Sequence, residues 1–272
     1  MHTSKHRLPV AAVLLLAFVF ISGQVAAQIQ KTFTPKTLYL TYGNMTVPTK
    51  SARLLDTLIN GRLSYTGTMD LVISDESIGI ISSMQQANGR ASFTLTSADF
   101  DFRAKEVLNY SDVSFREISI SSLDGASKDA ARFTVAFSAP NLKQGTGGGT
   151  LVQASGKSKT VLASNFRFTI NGLPSNRVSA IEKINFTGNT AFRITVAAAD
   201  EETWREFFLS GKGTRLQGSI ELLAPNMKDV VFRADFNDAS FQSWEREYDS
   251  SSEKIQRFAV GVRARFAMLT TK

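Results

Sequence analysis

The chain has no cysteine, so disulfides hold nothing together. Its only two histidines are His2 and His6, at the extreme N-terminus. Beyond them the chain offers neither imidazole nor thiol. That excludes Ser-His-Asp and Cys-His catalysis, histidine proton transfer and the usual zinc sites, which take His or Cys ligands. An enzyme built on this chain would have to work with carboxylates, Lys, Tyr, Ser, Thr or Arg. No D-x-D-x-D-G loop closed by a glutamate is present, so an EF-hand type calcium site is excluded. Gly156-Lys157-Ser158 ends like a phosphate-binding loop, but Leu151 stands where that loop needs glycine, so the stretch reads as loop.

A long hydrophobic run is also lacking. Val10 to Ile21 is apolar for twelve residues, too short to span a bilayer as a helix. Lys5 and Arg7 precede it and the small-residue stretch Val25-Ala26-Ala27 follows it. This is the layout of a secretory signal peptide, and it places cleavage before Gln28. An exported chain without cysteine points to a bacterial periplasmic, cell-surface or extracellular protein, with no transmembrane segment after cleavage. Without Lys5 and Arg7, 29 basic residues face 24 acidic ones, a net of +5 on 245 residues. So mild an excess reads as an ordinary solvated surface, and no nucleic-acid partner is expected.

What the chain does have is self-similarity. Residues 124–138, DGASKDAARFTVAFS, match residues 249–263, DSSSEKIQRFAVGVR, at a spacing of 125. Asp75-Glu76 and Asp200-Glu201 open two helix-like runs at the same spacing. DVSFR (112–116) matches DVVFR (229–233) at 117, which implies indels between the copies. A period this long means two repeated domains, since solenoid repeats run to ~20–50 residues.

Most of the texture is strand. From Arg257 to Met268, Phe258, Val260, Val262, Ala264, Phe266 and Met268 alternate with Arg257, Ala259, Gly261, Arg263, Arg265 and Ala267. Shorter alternations run through Phe133–Phe137, Phe166–Ile170, Phe192–Val196 and Val230–Phe236. One helix per half is expected. The first starts at Asp75-Glu76, carries Ile78, Ile81 and Met84 on one face and ends at Asn88-Gly89. The second is capped by Asp200, carries Trp204, Phe207 and Phe208 and stops at Gly211. Such a stripe is core that a helix buries against a sheet.

The fold class is therefore mainly β: two tandem β-barrel or sandwich domains, each with one flanking α-helix. Residues 1–27 are the signal peptide, 28–142 the first domain, 143–159 a Gly/Ser-rich linker and 160–272 the second domain. The linker is drawn from the aperiodic stretch PNLKQGTGGGTLVQASGKSKT (140–160).

Local chemistry is sparse. Asp99, Asp101 and Glu106 form a candidate cation cluster or a solvated loop. Ser251-Ser252-Glu253-Lys254 has the Ser-x-x-Lys spacing of a serine–lysine pair, and its polar setting reads as a hairpin turn. The Arg257, Arg263 and Arg265 face is the candidate partner surface, either a basic wall of a channel or groove or a solvated outer face. No catalytic, cofactor or metal residue is assigned.

The segment SNFRFTINGLPSNRVSAIEKINF (164–186) resembles the opening of bacteriophage tail-tube proteins, where a strand leads through an Asn-Gly-Leu turn into a second strand. Residues 220–269, with an aromatic-rich strand, a stretch around Trp244 and a long final strand, resemble that family's closing portion. The resemblance covers roughly residues 164–269 and reaches the first half through the internal repeat. It implies the β-barrel with flanking helix of contractile-tail and type VI secretion tubes, which build hexameric rings. A chain with two copies would close as a trimer with pseudo-sixfold symmetry, with Arg257, Arg263 and Arg265 facing the lumen. Those tube proteins carry no signal peptide, and in this respect the chain departs from them.

Three function classes follow: a non-enzymatic assembly protein that self-associates into a ring, a periplasmic or surface module holding an apolar or anionic ligand in a barrel or interdomain cleft, and a carboxylate-dependent hydrolase.

Overall fold

The computed structural model describes residues 29–33, 38–87, 91–99, 101–151, 160–182, 184–211, 215–247 and 256–270. The first half runs β1 (Ile29–Phe33), β2 (Leu38–Tyr42), β3 (Met45–Ile59), β4 (Arg62–Val72), α1 (Asp75–Gln86), β5 (Ala91–Ala98), β6 (Ala104–Ile120), β7 (Leu123–Asp124), β8 (Arg132–Ala139) and β9 (Asn141–Thr146). The second runs β10 (Phe166–Ile170), β11 (Val178–Ile181), β12 (Ile184–Asn185), β13 (Asn189–Ala197), α2 (Glu201–Leu209), β14 (Leu216–Leu223), β15 (Val230–Glu247) and β16 (Arg257–Thr270). Among the described residues the protein is mainly β with one α-helix in each half, as the sequence predicts.

In the first half β3 pairs with β2, β2 with β5, β5 with β6, β6 with β8, β8 with β4, and β4 again with β3. All these ladders are antiparallel, and the circuit closes into a six-stranded barrel. Its interior is filled rather than hollow. Phe93, Tyr110 and Phe137 meet there at centroid distances of 4.8–5.1 Å. Burial in this apolar interior pushes the Tyr110 phenol well above its ordinary range.

The second sheet has the order β10-β14-β15-β16-β13-β11. This is the first half's order β2-β5-β6-β8-β4-β3, strand for strand. β5 and β14 begin at Ala91 and Leu216, and β8 and β16 at Arg132 and Arg257, each 125 residues apart. The second circuit stays open between β10 and short β11, with no ladder joining them among the described residues.

The repeat corrects one sequence match. β6 and β15 both bulge at an aspartate in the left-handed region, Asp112 (φ 56°) and Asp238 (φ 49°), where the register shifts. The counterpart of Asp112 is thus Asp238, not Asp229, and DVSFR and DVVFR occupy different places in the two sheets. The linker also begins later than drawn. β9 continues past Pro140 along β6 as far as Thr146. It is an exposed strand with a single apolar residue, Leu142, so it shows no alternation.

The helices start differently from each other. Ser74 caps α1: its Oγ accepts from the Ser77 N–H (3.2 Å), while Ser77 Oγ accepts from the Ser74 N–H (2.8 Å). Asp75 and Glu76 then sit at the positive end of the helix dipole. Ser74→Ala removes the acceptor of the Ser77 N–H, leaving only the bond from its own backbone N–H to Ser77 Oγ, and is expected to lower stability by about 1 kcal/mol. Equilibrium urea unfolding checks it. Asp200 does not cap α2 with its side chain, contrary to expectation. Its carboxylate instead faces Arg177 at 3.3 Å, and a 3-10 turn leads into the helix. Gly211, at φ 70°, follows the end of α2 as predicted. Asn88-Gly89 lies outside the described residues.

The halves interlock. β7 of the first half adds to β11 of the second, and β12 of the second adds to the end of β6. α1 lies at the seam, packing on β3 and β6 of its own half and on β16 of the other. Ile78, Ile80, Ile81 and Met84 are therefore all buried, and Gln85 Nε2 donates to the Phe186 carbonyl at 3.3 Å. A single apolar cluster runs through both halves.

Candidate functional site

β16 alternates as its sequence demands. Phe258, Val260, Val262, Ala264 and Phe266 are buried, and Arg257, Arg263 and Arg265 are exposed on the opposite face. Ala259, on the arginine side, is nonetheless buried. In register, Arg263 lies between Ala191 of β13 and Ser240 of β15, and Arg265 between Asn189 and Asn237. None of the three arginines makes an ion pair with another described residue. They stand on the exposed face of the second sheet, where Arg265 also borders the crevice between the halves.

The same outer face is not uniformly basic. Arg193 reaches Glu245 at 2.5 Å and Glu182 at 3.5 Å. Further along, Arg167, Glu221 and Arg233 stand in register across β10, β14 and β15. Glu221 is buried, accepting from Arg167 at 3.0 Å and from Arg233 at 2.7 Å. The hydrogen bond to Asp235 (2.8 Å), with help from Glu221, holds the Arg233 guanidinium above its ordinary pKa. This network satisfies its own charges and leaves the β16 arginines as the face's unneutralised cations among the described residues.

The acidic trio does not come together as a site. Asp99 Oδ1 accepts from the backbone N–H of Asp101 and Arg103, and Oδ2 lies 3.0 Å from Lys105 Nζ. These bonds, the Arg103 amide foremost, hold the Asp99 carboxyl below its usual range. Glu106 accepts from Gln144 Nε2 at 2.6 Å. The carboxylates thus organise a loop and an edge strand. Gly156–Ser158 and Ser251–Lys254 lie outside the described residues. Among the described residues no group of three or more His, Cys, Asp or Glu could hold a metal ion, and no helix is long and apolar enough to cross a membrane.

The aromatic stripe of α2 packs against the sheet, with Trp204 in the core and Phe207 and Phe208 half-buried beside it. Trp204 is fully buried, its Nε1 donating to the Pro174 carbonyl at 2.9 Å, and it stacks on Phe241. Phe207 and Phe208 pack on Phe241 as well.

Two features were missed in the sequence. The β3–β4 hairpin turns at Asn60-Gly61, both with positive φ (51° and 76°). Beyond Asp56, β3 pairs only with β4, so the tip projects, carrying Leu58, Ile59 and Leu63 at 59%, 54% and 54% exposure. An Asn-Gly pair flanked by strand-forming residues was the readable signal. The other feature is the seam itself, where Arg265 approaches α1 and β6; nothing local in the sequence marks it.

Comparison with protein-family models finds no match, and comparison with curated proteins finds none either.

Proposed function

We propose that the protein is an exported, non-enzymatic assembly protein whose two tail-tube-like halves build a ring by self-association. The observation that carries this reading is the repeated strand order with its helix in the same place in each half. A chain of two such units closes as a trimer with pseudo-sixfold symmetry. The projecting apolar hairpin tip supports it, because three large apolar side chains at one exposed turn gain by burial against a partner. Export rests on the N-terminal segment alone.

Contacts between copies would differ from the seam within a chain. α1 presents Ile80 to the seam, while the outer face of α2 carries Glu202, Arg205 and Glu206, all exposed. A contact through α2 is polar and is screened by salt. Light scattering after size exclusion of residues 28–272 is expected to give a trimer at low ionic strength that weakens as salt rises. Replacing Leu58, Ile59 and Leu63 by serine should shift the mass toward monomer. A monomer at every concentration and salt level overturns the proposal.

A further inference from the structure

We propose that the seam between the two halves is a binding site for a small amphiphilic carboxylate, with Arg265 as the anion receptor. An open crevice of about 340 Å³ lies there, between the end of α1, β6, the β12–β13 turn and β16. Among the described residues Arg265 is its only charged lining residue. No carboxylate among them lines it to repel or neutralise an anion, and Arg265 makes no ion pair with another of them. Its planar guanidinium matches a carboxylate with two parallel hydrogen bonds, which an ammonium could not do.

The rest of the crevice suits an apolar body. Met84 and Phe186 form a buried floor, and half-buried Phe115 forms a wall on the first-half side. Ser114 stands exposed at the rim. The Gln85 amide is already engaged by the Phe186 carbonyl, so it stiffens the crevice instead of competing for the ligand. Clefts between domains are favoured places for small ligands, and this volume lies at the lower end of their usual range of ~300–1,000 Å³. At roughly 30 Å³ per water-sized unit it takes a ligand of about ten to twelve non-hydrogen atoms. The lining joins one guanidinium to the aromatic and aliphatic surface of Phe115, Phe186, Phe266 and Met84, so the ligand class is an aryl- or alkyl-carboxylic acid rather than a phosphate or a sugar. The site lies within one chain and does not depend on ring formation.

Isothermal titration of residues 28–272 with octanoate and 3-phenylpropanoate tests this, with 1-octanol as the uncharged counterpart. The expected result is one saturable site per chain, with a Kd of about 0.1–1 mM for so small a ligand. 1-Octanol and the Arg265→Gln variant should each bind at least about tenfold more weakly, because the charge-assisted bonds are lost. Arg257→Gln, well away from the crevice, should bind as the parent does. Ser114→Trp should fill the rim and abolish binding, with its melting curve confirming that it folds. Absence of saturable binding by either carboxylate up to about 10 mM overturns the site. Undiminished affinity in Arg265→Gln, a surface substitution that leaves the core intact, overturns the recognition by Arg265.

Discussion

Phe232→Ala is expected to cost about 3–5 kcal/mol and to lower the melting of both halves together. Phe232 is fully buried in β15, but its ring does not serve the second half alone. It meets Phe133 of β8 edge-on at 5.2 Å and Phe186 at 6.0 Å, and Phe186 in turn meets Phe266 at 5.2 Å. This aromatic chain crosses the seam. α1 fills the seam beside it, and β7 and β12 are strands lent from one half to the other. Neither half can unfold without exposing apolar surface of its neighbour. Scanning calorimetry should therefore record one transition in the parent chain, moved down by about 6–20 °C in the variant. Two transitions, with only the one belonging to the second half displaced, would mean that the halves fold independently and that the shared core contributes little.

That interlocking explains what the sequence concealed. The face of β16 was legible because a long half-buried strand must alternate, and Phe258, Val260, Val262, Ala264 and Phe266 are all buried, with Ala259 the one departure on the other face. The equivalence of the halves was legible from the 125-residue spacing. The seam was not, because β7 and β12 are two residues each, too short to carry any period. α1 shows the same effect. Its stripe of Ile78, Ile81 and Met84 is what one sheet requires, and Ile80, one turn before Met84, widens the buried face, as packing on β3, β6 and β16 together demands. Asp200 looked like a cap from its neighbours in sequence, but Arg177 was out of view. Arg265 was singled out for its strand face, whereas its place beside α1 and β6 follows from how the halves dock.

Gly218→Ala is the other substitution expected to cost about 3 kcal/mol or more, at the upper end of what overpacking does. In an open strand the change from glycine to alanine tends to stabilise, by reducing the freedom of the unfolded chain. Here a Cβ would lie 2.2 Å from the Thr169 carbonyl oxygen and 2.3 Å from the Phe236 ring. Neither can retreat. The carbonyl belongs to β10, fixed by its ladder to β14, and Phe236 is held between Phe168, Phe192 and Phe266 at 5.8–6.1 Å. The first half uses the same device. Gly67 is paired with Phe137, whose ring would lie 2.7 Å from an added Cβ, and the Arg53 carbonyl stands at 2.9 Å. In both halves a phenylalanine fills the space that a strand glycine leaves open. Gly67→Ala should thus destabilise by somewhat less. Gly145→Ala, on an edge strand with nothing within 4 Å, should be near neutral. Urea midpoints of the three variants give the order directly. A Gly218→Ala protein as stable as the parent would place the β10–β14 register, and with it the repeat of strand order, in error.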